Sequence, residues 1–223
     1  MQRRLSIDLA SLRKGAEDLR YLLGRGYPRK NSLDLVGNRY GLERKARELL
    51  HRGVFSQADA GRRRERRIPM EGVRGSVLAA DGHNVLITIE AALRREPLVM
   101  ADDSFIRDVS GISSSYKMGE VTIEAVDLLI EVLVEFPPER IVFLFDSPIS
   151  KSGLLALHVA RRLRAANLAG ESRAVKVPER ILMGHPGVVA TSDSAIIDRV
   201  DRVVDLAGHV IETRIPQAWL ITL

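Results

Sequence analysis

The chain has 223 residues, 45% hydrophobic and 28% charged, ordinary values that exclude a fibrous or largely disordered protein. It contains no cysteine, which excludes disulfides, thiolate metal sites and cysteine nucleophiles and fits a reducing, cytoplasmic setting. A formal charge of +5 arises from 34 Lys and Arg against 29 Asp and Glu, and 28 of the bases are Arg, whose fork suits phosphate better than Lys does.

The first module, residues 1–72, reads as helical and basic. Leu5, Leu9, Leu12, Ala16, Leu19, Leu22 and Leu23 recur at three- and four-residue steps, one apolar face of a helix. Gly24, Gly26 and Pro28 break it. A short helix around Leu33, Leu35 and Val36 follows, capped by Asn31 or Ser32, and a third helix starts after Gly41 with Leu42, Ala46, Leu49 and Leu50 inward. Residues 58–72 read as a linker with a charge run, Arg62, Arg63, Arg64, Arg66 and Arg67. Like charges so dense repel unless an anion is near, so the segment is expected to contact phosphate.

From Val73 strands and helices alternate. Strands are expected over 76–80, 140–145, 174–177, 187–191, 209–213 and 219–223, and helices over 84–95, 122–136, 152–166 and 194–203. Residues 96–119 read as a loop rich in Asp, Ser and Gly. Continuous apolar strands separated by helices predict an α/β domain over 73–223, with a mostly parallel sheet covered on both faces. No segment reads as a membrane span, because the best uncharged stretch, 181–192, is shorter than the roughly 18 residues needed. No signal peptide is expected, with Asp8 where its apolar core would begin.

Three predicted strands end in aspartate: Asp81, Asp146 and Asp193. In an open parallel sheet such positions share one edge, where ligands bind. At about 5 Å and an effective dielectric near 20, each pair repels by roughly 3 kcal/mol, so the set calls for raised pKa values or a cation. Oxygen donors alone favour Mg²⁺ or Mn²⁺, ions that hold phosphates and activate water. The competing reading makes each aspartate a helix cap or an Asx-turn. Asn84 stands beside Asp81. Together with Asn84, Ser147, Lys151 and Ser152, which lead into a helix N-terminus after Asp146, and Ser192 and Ser194, which flank Asp193, are the residues expected to contact nucleic-acid phosphate near the metal. Asp198 follows five residues after Asp193 as a further metal-site candidate.

Residues 77–86, 142–146 and 188–193, with their Asp-Gly-His-Asn opening at Asp81, resemble the strand-end signatures of PIN-like nucleases, closest to the NYN branch. The likeness runs from about residue 75 to 213. The helical front end followed by this core also resembles a prokaryotic family of unknown function. The resemblance implies a PIN-like three-layer fold and a metal-dependent endoribonuclease, with Asp81, Asp146 and Asp193 as catalytic acids and metal-site positions. One acid expected between Lys176 and Val188 is missing from its usual setting, and Glu179 or His185 is left to fill it. The alternative is an RNA-binding or assembly factor that kept the fold without catalysis. RNA is the expected partner, a homodimer is left open, and Asp102, Asp103 and Asp108, with Arg107, Ser113–Ser115 and Lys117, offer a further substrate-binding loop.

Overall fold

A computed structural model of the chain describes residues 7–109 and 118–223. Leu5, Ser113, Ser114, Ser115 and Lys117, all named above, lie outside the described residues. The architecture is α/β in three layers, with a helical region in front.

That region holds α1 (Leu9–Gly24), α2 (Arg29–Arg39), α3 (Arg44–Gly53) and α4 (Gln57–Arg66). Asp8 caps α1, its carboxylate accepting the amides of Ala10 and Ser11 at 3.0 and 3.2 Å. The segment read as a linker is instead α4, begun by Ser56 accepting the amide of Asp59. After it, Arg67 bridges Val203 and the Ile68 amide donates to the Val203 carbonyl at 2.8 Å, which adds the segment to the sheet edge.

The main sheet contains β1 (Val77–Asp81), β4 (Arg140–Asp146), β5 (Gly170–Val175), β6 (Val188–Ala190) and β7 (Val203–Val204), all parallel, in the order β5-β4-β1-β6-β7. Alternate residues face opposite layers. Leu78, Ala80, Phe143 and Phe145 pack under α5 (Gly82–Leu93), α6 (Glu120–Glu135), α7 (Ser152–Ala165) and α10 (Leu206–Arg214). Ala79, Leu144 and Val189 pack under Leu182 of α8 (Pro178–Met183) and Ile196 and Ile197 of α9 (Ser194–Ile197).

A second sheet, β2 (Leu98–Met100), β3 (Ile106–Asp108) and β8 (Leu220–Thr222), lies inside the region read as a loop and at the chain end. It gives Leu98 and Ile106 to the main core and Val99 and Ile221 to the core of the helical region, so it is the layer between the two. Residues 209–213, read as a strand, belong to α10, which Asp205 caps through the amide of Gly208. The 194–203 helix is the short α9, and Val203 already belongs to β7. No helix among the described residues is long and apolar enough to cross a membrane.

Candidate active site

Strand order reverses between β1 and β6. The chain leaves β1 into α5 on one face of the sheet and leaves β6 into α9 on the other. A crevice opens at such a switch point, and Asp81 stands there. Its register partner on β4 is Leu144, two residues before Asp146, and its predecessor Ala80 pairs with Ala190 of β6, followed by Thr191, Ser192 and Asp193. The three aspartates therefore share the carboxyl edge of adjacent strands.

Each is held differently. Asp81 caps α5, accepting the Asn84 amide at 3.3 Å, and its second oxygen takes the Thr191 hydroxyl at 3.2 Å. Burial pushes its pKa up to about 7, and the charges of Asp193 and Asp146 push the same way. Asp193 is exposed and caps α9 through the Ala195 amide at 2.7 Å. The capping role and the rim position thus coincide in Asp81 and Asp193. Asp146 is half-buried, and its carboxyl lies above its ordinary range through burial and the charge of Glu179. Glu179 enters from α8, because Asp146 pairs with Val175 at the end of β5 and the chain turns there into Pro178. The two candidates for the displaced acid are separated by this geometry. The charge of Glu179 acts on Asp146, whereas His185 contacts the Val77 carbonyl at 3.1 Å, at the other end of β1.

The backbone of the rim is locked from beneath. His83 is buried and kept neutral, its pKa lowered to about 4 by burial, and its Nδ1 accepts the Asp146 amide at 3.1 Å. Its ring meets Phe145 edge-on at 5.1 Å. A Cβ on Gly82 would stand 2.4 Å from the same Phe145 ring, so the Asp-Gly-His triplet needs glycine for close packing. Asn84 Oδ1 accepts the Ser192 amide at 2.8 Å and the Ser192 hydroxyl at 3.1 Å, tying α5 to the end of β6.

Several expected ligand contacts are corrected by this packing. Ser192 is buried and spent on Asn84, and Ser152 is buried with its hydroxyl on the carbonyls of Asp146 and Ile149, so neither faces a phosphate. Ser147 and Lys151 are exposed beside Asp146, with Lys151 in the left-handed region at φ 64°, and Ser194 is half-buried at the start of α9. Asp198 is not a rim acid. Arg63 binds it at 2.8 and 2.7 Å, and that hydrogen-bonded pair lowers its pKa.

As placed, no three His, Asp or Glu side chains among the described residues form a group able to hold a metal ion. The donors still suit a hard cation in kind. Mg²⁺ is commonly held by one or two carboxylates, with waters and substrate phosphate completing its shell, and a cation would relieve the repulsion that Asp81 meets from Asp193 and Asp146.

Residues 70–209 match the family model described as a domain of unknown function, DUF5616, and residues 11–66 match a protein of unknown function, DUF434. A relative from Methanocaldococcus jannaschii, an uncharacterized protein, is 34% identical over 204 residues, 91% of this chain and 97% of its own. The chain belongs to the DUF5616 family. No solved structure matches it. The DUF5616 segment contains Asp81, Asp146, Glu179 and Asp193, every acid at the carboxyl edge named above.

The DUF434 segment contains the arginine run, and the structure corrects its reading as a phosphate arm. Arg63 is buried between Asp198 and Asp103, its guanidinium 4.4 Å from the centre of the Phe55 ring. Arg66 donates to the Ile197 carbonyl at 2.7 Å, Arg64 to the Asp102 carbonyl, and Arg62 pairs with Asp59. Arg67 joins the sheet edge through its backbone. Internal anions thus meet Arg62 and Arg63, whereas Arg64 and Arg66 end on neutral carbonyls. Asp102 and Asp103 are likewise structural: Asp102 binds Arg20 at 2.9 and 2.7 Å, and Asp103 binds Arg107 at 2.7 and 2.8 Å. Asp108 is buried beside Thr88. Arg107 also donates to the Ser192 carbonyl at 2.7 Å, a support for the rim that sequence reading missed.

Proposed function

We propose that the rim formed by Asp81, Asp146, Asp193 and Glu179 cleaves phosphodiester bonds in RNA with a divalent cation, as a PIN-like, NYN-type endoribonuclease would. The observation that carries this reading is the convergence of three aspartates at the sheet's switch point, where burial first and the charges of Asp193 and Asp146 second raise Asp81 to about 7. Asp81 and Asp146 would hold the cation, and Mg²⁺ or Mn²⁺ would supply charge neutralisation and an activated water. Thr191 keeps the Asp81 carboxyl oriented, and the His83 ring fixes the Asp146 backbone. Two exposed lysines close to Asp146 in the chain path, Lys151 after β4 and Lys176 directly after β5, support contact with phosphate oxygens. The basic balance of the chain supports a polyanionic substrate, and the reading carries a cytoplasmic location with it.

A second reading, an RNA-binding protein without turnover, has its own observation: Asp81 and Asp193 each already satisfy a helix N-terminus. The two separate in one assay. Full-length protein with Mn²⁺ and labelled single-stranded RNA is expected to produce cleavage, reduced at least about 10²-fold, the scale of losing one catalytic group, in Asp81→Asn and Asp146→Asn. RNA retained intact by all three proteins selects the binding reading, and no interaction with RNA at all removes both.

A further inference from the structure

Away from the rim, a cleft of about 540 Å³ opens between the helical region and the α/β core, within the size range of small-molecule sites. Its walls include Arg20, Tyr21 and Arg25 from the end of α1, Gln57 and Arg64 from α4, and Asp102 from the segment after β2. The apolar Phe55 and Ala60, both buried, also line it.

The charges in this cleft do not cancel. Asp102 is saturated, its oxygens taking Arg20 in a fork and the Phe55 amide at 3.0 Å. Arg20 is further fixed on the Leu223 carbonyl at 2.9 Å. Among the described residues, Arg25 and Arg64 form no ion pair. Arg25 instead lies 5.2 Å from the centre of the Tyr21 ring, and Arg64 meets only the neutral Asp102 carbonyl. Two cations are thus uncompensated, which matches the charge of a phosphomonoester near neutral pH. Tyr21 is 62% exposed, a large ring left at the mouth of a cationic cleft. Such rings stack nucleobases, and an exposed amide such as Gln57 can both donate to and accept from a base edge.

We propose that this cleft binds a nucleotide carrying a terminal phosphate, with Arg25 and Arg64 on the phosphate and Tyr21 against the base. The site draws on both family segments and does not depend on what the acidic rim does.

Calorimetric titration of the full chain in EDTA tests it, with adenosine 5′-monophosphate (AMP), ribose 5-phosphate, a 5′-phosphorylated tetraribonucleotide and a glutamate-rich peptide as probes. AMP is expected to bind once per chain and more tightly than ribose 5-phosphate. Arg25→Gln and Arg64→Gln should each weaken both by about tenfold, the scale of one charge-assisted hydrogen bond. Tyr21→Ala should weaken AMP alone. All three side chains are exposed, so the variants keep the core intact. Asp81→Asn should bind AMP as the wild type does, which separates failure of the cleft from failure of the rim. A tetranucleotide that binds more tightly than AMP assigns the site to the end of a strand, and a weaker one to a free nucleotide; either supports the proposal. It is overturned by absence of AMP binding, by affinity indifferent to Arg25 and Arg64, by equal affinity for ribose 5-phosphate with no response to Tyr21→Ala, or by preference for the peptide.

Discussion

Asp205 is buried, and its two oxygens take the amides of Ile106 and Gly208 at 2.8 and 2.9 Å. Burial lifts its pKa to about 6, although those bonds and the charges of Arg67 and Arg107 favour the anion. An unfolded chain titrates this carboxyl at 3.8. Between those two values the folded protein therefore binds more protons than the unfolded one, and its stability falls as pH rises through the window. The shift corresponds to at most about 3 kcal/mol. Asp205→Asn abolishes the titration, so urea melts at about pH 4 and about pH 7 should show the wild type losing up to that amount relative to the variant. A difference that stays constant between the two pH values would show that Asp205 titrates alike in both states. The sequence pattern hides the residue, because 209–213 reads as a strand rather than the helix that Asp205 caps. The signal was present: Asp205 stands three residues before Gly208, directly after Val203 and Val204, a strand running into a capped helix. Asp81, Asp146 and Asp193 are legible for the complementary reason, since Asp81 and Asp146 close strands, Asp193 follows β6 by three residues, and Asp81 and Asp193 cap the following helix. The role of Glu179 was only half legible, since its approach to Asp146 follows from the β4–β5 register.

At the scale of elements, the arginine run shows how far local charge reasoning reaches. Repulsion among Arg62, Arg63, Arg64, Arg66 and Arg67 favours nearby anions, and for Arg63 these come from Asp198 and Asp103, 135 and 40 residues away in sequence. Nothing local distinguishes Arg63 from its neighbours. Only the one turn of α4 that faces the core decides it. The five arginines are therefore expected to differ sharply in their effect on stability. Arg63→Ala takes the buried guanidinium from Asp198 and leaves Asp103 only its Arg107 fork, and should cost about 1–3 kcal/mol, the scale of hydrogen bonds to charged groups. Arg62→Ala, with a side chain 59% exposed, should change little. Guanidinium denaturation of the two variants checks the contrast, and equal losses would mean that the run acts as one solvated face. The short strands β2, β3 and β8 were hidden by the same distance effect. Each has three residues, and β2 and β8 pair across more than a hundred positions.

Across the whole molecule, the two family segments share one folded body. The core of the helical region is completed by Val99, Val109 and Ile221, with Trp219 and Leu223 packed against it. A Cβ on Gly53 would stand 2.5 Å from Val99, a measure of how closely α3 approaches β2. Arg20 adds its fork to Asp102, and Arg29 reaches the His51 and Val54 carbonyls at 2.8 and 2.6 Å beside Phe55. A fragment of residues 1–72 retains α1 to α4 but loses every apolar partner supplied by the second sheet, and it leaves Arg63 without Asp103 or Asp198. At that size a core is marginal even when complete. The fragment should give a broad, non-cooperative thermal transition by circular dichroism, whereas the full chain melts in one step reported alike by helix signal and by Trp219 fluorescence. A sharp transition in the fragment would mean that the helical region carries its own stability and that its contacts with the second sheet are secondary to it.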